Sequence, residues 1–107
     1  MTAAEYIRTL PQRVNPEALQ EKETCLHFII AGNEGGEFTV TVKDGQCTAQ
    51  DGLHSSPKCT YRATVSVLMD IVAGKKKFTM ALLLGEVKID NLGEFMKIGK
   101  ALGLGVE

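Results

Sequence analysis

The 107-residue chain contains no tryptophan, only two tyrosines and four phenylalanines, and only three prolines. With 44% apolar and 23% charged residues, such a sequence is neither collagen-like nor intrinsically disordered. Twelve basic against thirteen acidic side chains leave a net charge of −1, so binding to nucleic acid through bulk charge is not expected. Aliphatic residues and methionine dominate instead, which predicts a core that can adapt its shape.

Long apolar segments are also missing. The longest run, residues 80–84, is far shorter than the roughly 20 residues that span a bilayer. The first residues lack the basic and apolar regions of a secretory signal. Cys25, Cys47 and Cys59 form no CxxC pair, and their odd number favours free thiols in a reducing compartment. We therefore expect a single domain over residues 1–107, located in the cytoplasm.

The N-terminal segment predicts two short helices. Thr2 and Glu5 match a capping box, and apolar residues follow at helical spacing until Pro11 ends the helix. Asn15 and Pro16 match the N-cap and the first position of the second helix. Both helices are amphipathic, so we expect them to cover an apolar surface.

The middle of the chain has the two-residue period of β-strands. From Leu26 onward apolar and polar side chains alternate, which predicts a sheet with one buried face. Asp44 and Gly45 are typical of a two-residue type I′ hairpin turn. That turn places Val42 opposite Cys47, so the apolar side chains of both strands share one face.

Two further strands and three helical segments complete the prediction. The strands cover residues 58–65 and 86–90. Ser66 is expected to cap a helix that ends at Gly74, and Asn91 to cap the last helix, with a short apolar helical segment between them. The predicted fold class is α+β: a sheet of about five strands, mostly antiparallel, with helices packed on one face.

The apolar helical segment covers residues 78–84 and is hydrophobic on nearly every side, whereas a helix on a sheet needs only one apolar stripe. We expect it to be covered on both sides, either by the last helix or by an apolar ligand. Gly93, Gly99 and Gly103 are expected within the last helix, where each lowers stability by about 1 kcal/mol relative to alanine. A weakly held last helix would suit a lid, and close helix packing would explain the glycines equally well.

Taken together, these segments resemble the sterol carrier protein-2 domain over most of the chain, from about Leu19 to Leu102. The most specific part runs from Met80 to Ile89: an apolar helical segment, then glycine, a charged residue, an aliphatic residue, lysine and an aliphatic residue. Proteins of that family enclose an apolar tunnel between a five-stranded sheet and its helices. The resemblance implies a non-catalytic carrier of sterols, fatty acids, fatty acyl-coenzyme A or similar lipids, with no cofactor.

The resemblance also implies which side chains line the tunnel. They are hydrophobic residues from the three C-terminal helical segments: Met69, Val72, Phe78, Met80, Ala81, Leu82, Leu84, Phe95, Met96 and Leu102. The methionines among them suit a wall that repacks around different ligands.

Two features depart from the family pattern. Animal relatives end in a small-basic-aliphatic tripeptide that directs them to peroxisomes, whereas residues 104–107 read Leu-Gly-Val-Glu, which again favours the cytoplasm. After Ala81 the segment is purely aliphatic, where relatives often carry a glutamine before the glycine. Because that polar group is missing, the resemblance does not extend to sterol specificity.

A lysine cluster precedes the apolar segment. Lys75, Lys76 and Lys77 create a local positive field that suits the phosphates of a coenzyme A ester or an anionic membrane surface. A solvated loop is the simpler interpretation of such a run. Further lysines make the C-terminal third basic, which is compatible with weak contact with a membrane surface.

Other functions use some of the same residues. Cys25 and His27 would share a strand face and Cys59 would be a third metal ligand, but Cys59 belongs to the apolar set, so no metal site is predicted. The apolar surface would also suit a homodimer or a partner chain. The sequence contains no catalytic motif such as a nucleophile elbow, a phosphate-binding loop or HExxH, so we predict that it is not an enzyme.

Overall fold

A computed structural model describes residues 1–104 of the chain. Residues 105–107, which belong to the C-terminal sequence discussed for peroxisomal targeting, lie outside the described part. The helical elements are α1 (Ala3–Arg8), α2 (Leu10–Arg13), a 3₁₀ turn (Pro16–Leu19), α3 (Val65–Val72), α4 (Phe78–Leu83) and α5 (Leu92–Ile98). The strands are β1 (Thr24–Ala31), β2 (Gly36–Lys43), β3 (Gln46–Asp51), β4 (Cys59–Thr64) and β5 (Lys88–Ile89). None of the helices in residues 1–104 is long and apolar enough to cross a bilayer.

The five strands form one mixed sheet in the order β3-β2-β1-β4-β5, which confirms the predicted α+β class. Every neighbouring pair is antiparallel except β1 and β4, which are parallel. The hairpin register is also confirmed, because Val42 lies opposite Cys47 and Asp44 and Gly45 both have positive φ, as a type I′ turn requires.

The inner face of the sheet carries the core. Leu26, Phe28, Val40 and Tyr61 are fully buried there and belong to the same hydrophobic cluster as the buried side chains of the helices. The outer face carries mainly polar side chains and is crossed by the loop that leads from β3 to β4 (residues 52–58). Hydrogen bonds from outer-face side chains to the backbone of this loop hold it against the sheet.

The N-terminal elements differ from the prediction at Pro11. The capping box of α1 is present, but α1 ends at Arg8, and Pro11 lies in the first turn of α2. Proline is accepted there because the first turn of a helix does not use its backbone N–H groups. The proline therefore begins a helix instead of ending one.

The cap of α3 is Thr64, so the prediction of Ser66 is wrong. The Thr64 hydroxyl accepts a hydrogen bond from the Val67 N–H at 3.2 Å, while the Thr64 backbone is still extended. Strand β4 therefore runs directly into the helix, and its last residue serves as the cap. The predicted cap of the last helix is confirmed, since Asn91 accepts a hydrogen bond from the Glu94 N–H at 3.2 Å.

The last helix is shorter than expected and contains one of the three glycines. Gly93 lies within α5, Gly99 is its C-cap, and Gly103 lies in the following turn with φ of +71°. The prediction of a helix weakened by three glycines is therefore wrong, because two of them terminate the helix or allow the turn after it. The Tyr6 hydroxyl fixes this turn by donating to the Leu102 carbonyl oxygen at 2.9 Å.

Candidate functional site

Four aromatic rings form a continuous layer between the sheet and the C-terminal helices. Phe28 of β1 contacts Tyr61 of β4 with ring centroids 5.2 Å apart, and Tyr61 contacts Phe95 of α5 at 5.4 Å. Phe95 stacks in turn on Phe78 of α4 at 5.3 Å. All four side chains are buried. The inner sheet face, α4 and α5 therefore meet at one apolar layer, where the sequence resemblance placed a ligand.

Tyr61 is the polar exception within this layer. The residue has no exposed surface, and its hydroxyl has no hydrogen-bond partner among the residues that the structure describes. Burial raises the pKa of Tyr61 well above its ordinary value, because the charged form would lose its hydration. Strand alternation predicts that Tyr61 faces inward, but it cannot show that the hydroxyl lacks a partner.

The ten predicted wall residues fall into three groups. Phe78, Ala81, Phe95 and Leu102 are fully buried. Met69, Val72 and Leu82 are partly buried and pack against the core. Met80, Leu84 and Met96 are exposed to solvent. The first two groups share the core cluster, whereas the third lies outside it.

The last helix does not cover both sides of the apolar segment within the described residues, and cover by a ligand stays a prediction. Phe78 and Ala81 face the core, but Met80, Leu83 and Leu84 are 51%, 81% and 66% exposed. The reason is geometric, because α5 contacts only the buried side of α4, through Phe95 stacked on Phe78. The opposite side of α4 has no cover within residues 1–104.

The three lysines before α4 have different environments. Lys76 is half-buried and forms an ion pair with Glu86, with the Nζ and the carboxylate oxygens 2.9 Å apart. Lys75 and Lys77 are exposed. The structure thus leaves two of the three predicted anion-contact residues directed at solvent, beside the exposed side of α4.

Two of the clefts formed by the described residues lie outside the predicted wall, beside the sheet or α5. One has a volume of about 520 Å³ and lies on the outer face beside Ile29, Arg62 and Lys88. The other has a volume of about 500 Å³ and lies between the segment before β1 and the C-terminal part of α5. No predicted wall residue lines either cleft.

The cysteines lie on different faces of the sheet. Cys59 pairs with Leu26 on the inner face, while Cys25 and His27 are on the outer face. Burial raises the pKa of the Cys59 thiol to about 11, which is unfavourable for a thiolate ligand. Within residues 1–104 no group of three His, Cys, Asp or Glu side chains has the arrangement of a metal site.

A small α+β domain with one polar sheet face, one helix-covered face and an apolar layer between sheet and helices is the architecture of sterol carrier domains. The model of the SCP-2 sterol transfer family matches residues 5–103. The chain belongs to this family, which associates it with the binding or transfer of lipids.

The curated relatives are longer proteins. Hydroxysteroid dehydrogenase-like protein 2 of Xenopus tropicalis is 30% identical in an alignment of 106 residues, which covers 92% of this chain and 24% of that protein. The chain thus spans about a quarter of the length of the curated relatives it matches.

Two solved structures show the shared fold. The sec-alkylsulfatase Pisa1 from Pseudomonas sp. matches with a TM-score of 0.79 and 22% identity, over 100% of this chain and 17% of that one. Palmitated SCP2L2 from Aedes aegypti matches with a TM-score of 0.70 and 17% identity, over 91% of this chain and 92% of that one. At these identities the likeness is one of fold.

Proposed function

We propose that this domain is a non-catalytic cytoplasmic carrier that binds one hydrophobic ligand between the inner sheet face and helices α3 to α5. The observation that supports it best is the aromatic layer, because apolar surface from α4, α5 and the sheet meets there. A ligand would enter by separating Phe78 from Phe95, which join α4 to α5 across this layer.

The ligand classes are a fatty acid, a fatty acyl-coenzyme A, a sterol or a similar lipid. Each methylene that leaves water contributes about 0.8 kcal/mol, so a long acyl chain can offset the separation of the aromatic pair. The palmitated relative supports an acyl chain as one such ligand. An aliphatic and aromatic wall selects for length and shape more than for a particular polar group.

The proposed wall consists of the buried and partly buried residues of the three helical segments, namely Met69, Val72, Phe78, Ala81, Leu82, Phe95 and Leu102. Met80, Leu84 and Met96 are exposed and would border the entrance. The ammonium groups of Lys75 and Lys77, with Lys76 behind them, would attract an anionic head group or the phosphates of coenzyme A.

Native mass spectrometry of the purified protein, followed by displacement of a fluorescent fatty acid, tests the proposal. We expect bound lipid of defined mass and saturable displacement. Leu82→Gln should weaken binding about tenfold, because it places an amide in the apolar wall. Leu53→Gln is the matched control, since Leu53 is an exposed leucine in the loop after β3, and it should leave affinity unchanged. Absence of displaceable lipid would contradict the carrier function.

An interaction module is the second candidate, and the exposed leucines of α4 are the observation that favours it. In that case the chain would form a homodimer or bind another protein through residues 78–102. Sedimentation equilibrium distinguishes the candidates: a tight dimer that binds no lipid supports the module, and a monomer that binds lipid supports the carrier.

A further inference from the structure

We propose that α4 docks this domain onto an anionic lipid surface. The α4 surface is defined by Met80, Leu83 and Leu84, together with Lys75 and Lys77 at the beginning of the helix. These three hydrophobic side chains include the two most exposed leucines of the described chain. Single exposed apolar side chains need no explanation, but Met80 and Leu83 of one short helix, together with its C-cap Leu84, indicate an interaction site.

The geometry of α4 suits a helix that lies on a surface. Residues 80, 83 and 84 are spaced so that their side chains share one side of the helix. Phe78 and Ala81 occupy the other side and anchor the helix in the core. An apolar side exposed to solvent, on a helix fixed to a folded domain, can enter the boundary between head groups and acyl chains without unfolding.

The N-terminal helix offers no comparable surface. In α1 the apolar residues Ala3, Ala4, Tyr6 and Ile7 are all buried against the rest of the domain. Membrane contact through the apolar side of α1 would therefore require it to detach, whereas α4 needs no rearrangement.

The charge distribution indicates which kind of surface α4 contacts. Between residues 75 and 100 the chain carries six lysines and three acidic residues, while the remainder carries six basic and ten acidic residues. The acidic side chains of this segment are engaged locally: Glu86 pairs with Lys76, Glu94 pairs with Lys97, and an Asp90 carboxylate oxygen accepts a backbone N–H. Lys75 and Lys77 form no ion pair in the described structure and directly precede α4, where their positive charge is complementary to an anionic head-group layer.

A second copy of the chain fits this surface less well. A symmetric dimer through α4 places the same surface of each copy against the other. The α4 surface carries Lys75 and Lys77 but no carboxylate, so the same surface of a second copy offers these lysines no opposite charge. An anionic lipid surface pairs these lysines with opposite charges and accommodates the leucines in the same contact.

This inference rests on the proposed carrier function for its purpose, because a carrier must meet a bilayer to take up or release lipid. The exposed residues that would border the ligand entrance, Met80 and Leu84, belong to the α4 surface. Docking through α4 would therefore bring the entrance to the head-group layer, so that an acyl chain moves between bilayer and protein with little exposure to water.

Flotation of the purified chain with phosphatidylcholine vesicles, with and without phosphatidylserine, tests the docking. We expect binding that increases with phosphatidylserine and weakens with salt. Leu83→Ser should lower the partition coefficient about fivefold. Leu53→Ser, which removes an exposed leucine elsewhere, should leave it unchanged.

The lysines are tested separately. A Lys75→Gln/Lys77→Gln variant should lose about tenfold or more of its binding to phosphatidylserine vesicles, since each lysine near such a surface contributes about fivefold. The control is Lys43→Gln/Lys58→Gln, which removes the same charge from outside residues 75–100. It should cause a much smaller loss of vesicle binding.

Some outcomes overturn the docking proposal. Equal partitioning of wild type, Leu83→Ser and the Lys75/Lys77 variant shows that α4 is not the contact. A dimer in the absence of vesicles that Leu83→Ser dissociates shows that a second copy covers α4. Displacement of a fluorescent fatty acid without vesicles is measured on the same wild-type preparation, so loss of ligand binding and loss of vesicle docking are distinguished.

Discussion

Replacement of Tyr61 by phenylalanine should stabilise the protein, although Tyr61 lies at the centre of the core. Its hydroxyl is buried without a hydrogen-bond partner in the described structure. A hydroxyl that gives up its bonds to water and gains none costs about 1–3 kcal/mol. Tyr61→Phe removes this cost and keeps the ring contacts with Phe28 and Phe95, so we expect the free energy of unfolding to rise by about 1 kcal/mol.

Tyr6→Phe is the matched variant, and we expect it to lower the free energy of unfolding. The Tyr6 hydroxyl lies 2.9 Å from the Leu102 carbonyl oxygen and 3.1 Å from that of Gly103, so it fixes the turn after α5. Removing this donor leaves a buried carbonyl unpaired, and we expect a loss of about 1 kcal/mol or more. Because the chain has no tryptophan, urea unfolding followed by circular dichroism is the suitable measurement.

The pH dependence gives an independent check on Tyr61. Burial raises its pKa in the folded state above the ordinary value of about 10, so folding stabilises the protonated form. The contribution of this raised pKa to the free energy of unfolding is complete below pH 10. It falls as the pH rises above 10, because the unfolded chain then loses the tyrosine proton more readily than the folded chain. The stability advantage of Tyr61→Phe over wild type should therefore grow between about pH 9 and pH 11. If Tyr61→Phe instead destabilises the protein as much as Tyr6→Phe does, the hydroxyl has a partner and the reasoning is refuted.

Local backbone features give three further predictions, each checked by urea unfolding at neutral pH. Thr64→Ala should cost about 1 kcal/mol because it removes the cap of α3, while Ser66→Ala, in the same helix, should change stability by a few tenths at most; equal effects would contradict the assignment of the cap. Gly35→Ala should destabilise by about 1–3 kcal/mol because its Cβ would clash with the Ile30 carbonyl oxygen. At Gly93, within α5, an added Cβ would be in ordinary contact with the Asn91 Oδ1 at 3.8 Å, so Gly93→Ala should raise the free energy of unfolding by about 0.5–1 kcal/mol. A loss of stability would show that this glycine is needed for packing.

The sequence predicts the fold well wherever the determining interactions are local. The register of Val42 opposite Cys47 follows from a two-residue turn, and the caps of α1 and α5 follow from residues three apart. The parallel pairing of β1 with β4 depends on a loop that crosses the outer face, and strand alternation is the same for either direction of pairing. The cap of α3 was predicted two residues too late because the turn between β4 and α3 has no separate linker.

The site could be predicted in part, for a similar reason. The hydrophobic character of α4 is a property of composition, and the segment stands out in the sequence. Which of its residues are buried depends on where α5 ends and how Phe95 meets Phe78, neither of which has a local signal. Whether a tyrosine hydroxyl finds a partner is equally hidden in the sequence, since the Tyr6 hydroxyl donates to the Leu102 carbonyl oxygen from the opposite end of the chain.

The buried and the exposed side of α4 assign different roles to its hydrophobic residues. If all of its apolar side chains were buried, the helix would be ordinary core and a ligand would compete with packing for the same contacts. Phe78 and Ala81 make the core contacts of α4, whereas Leu83 is 81% exposed and contributes little to the stability of the domain. Side chains that do not stabilise the fold can interact outside it, and the lysines beside them favour an anionic lipid layer. Substitutions at Leu83 should therefore change vesicle binding and leave the unfolding free energy nearly unchanged, whereas substitutions at Ala81 should reduce stability first.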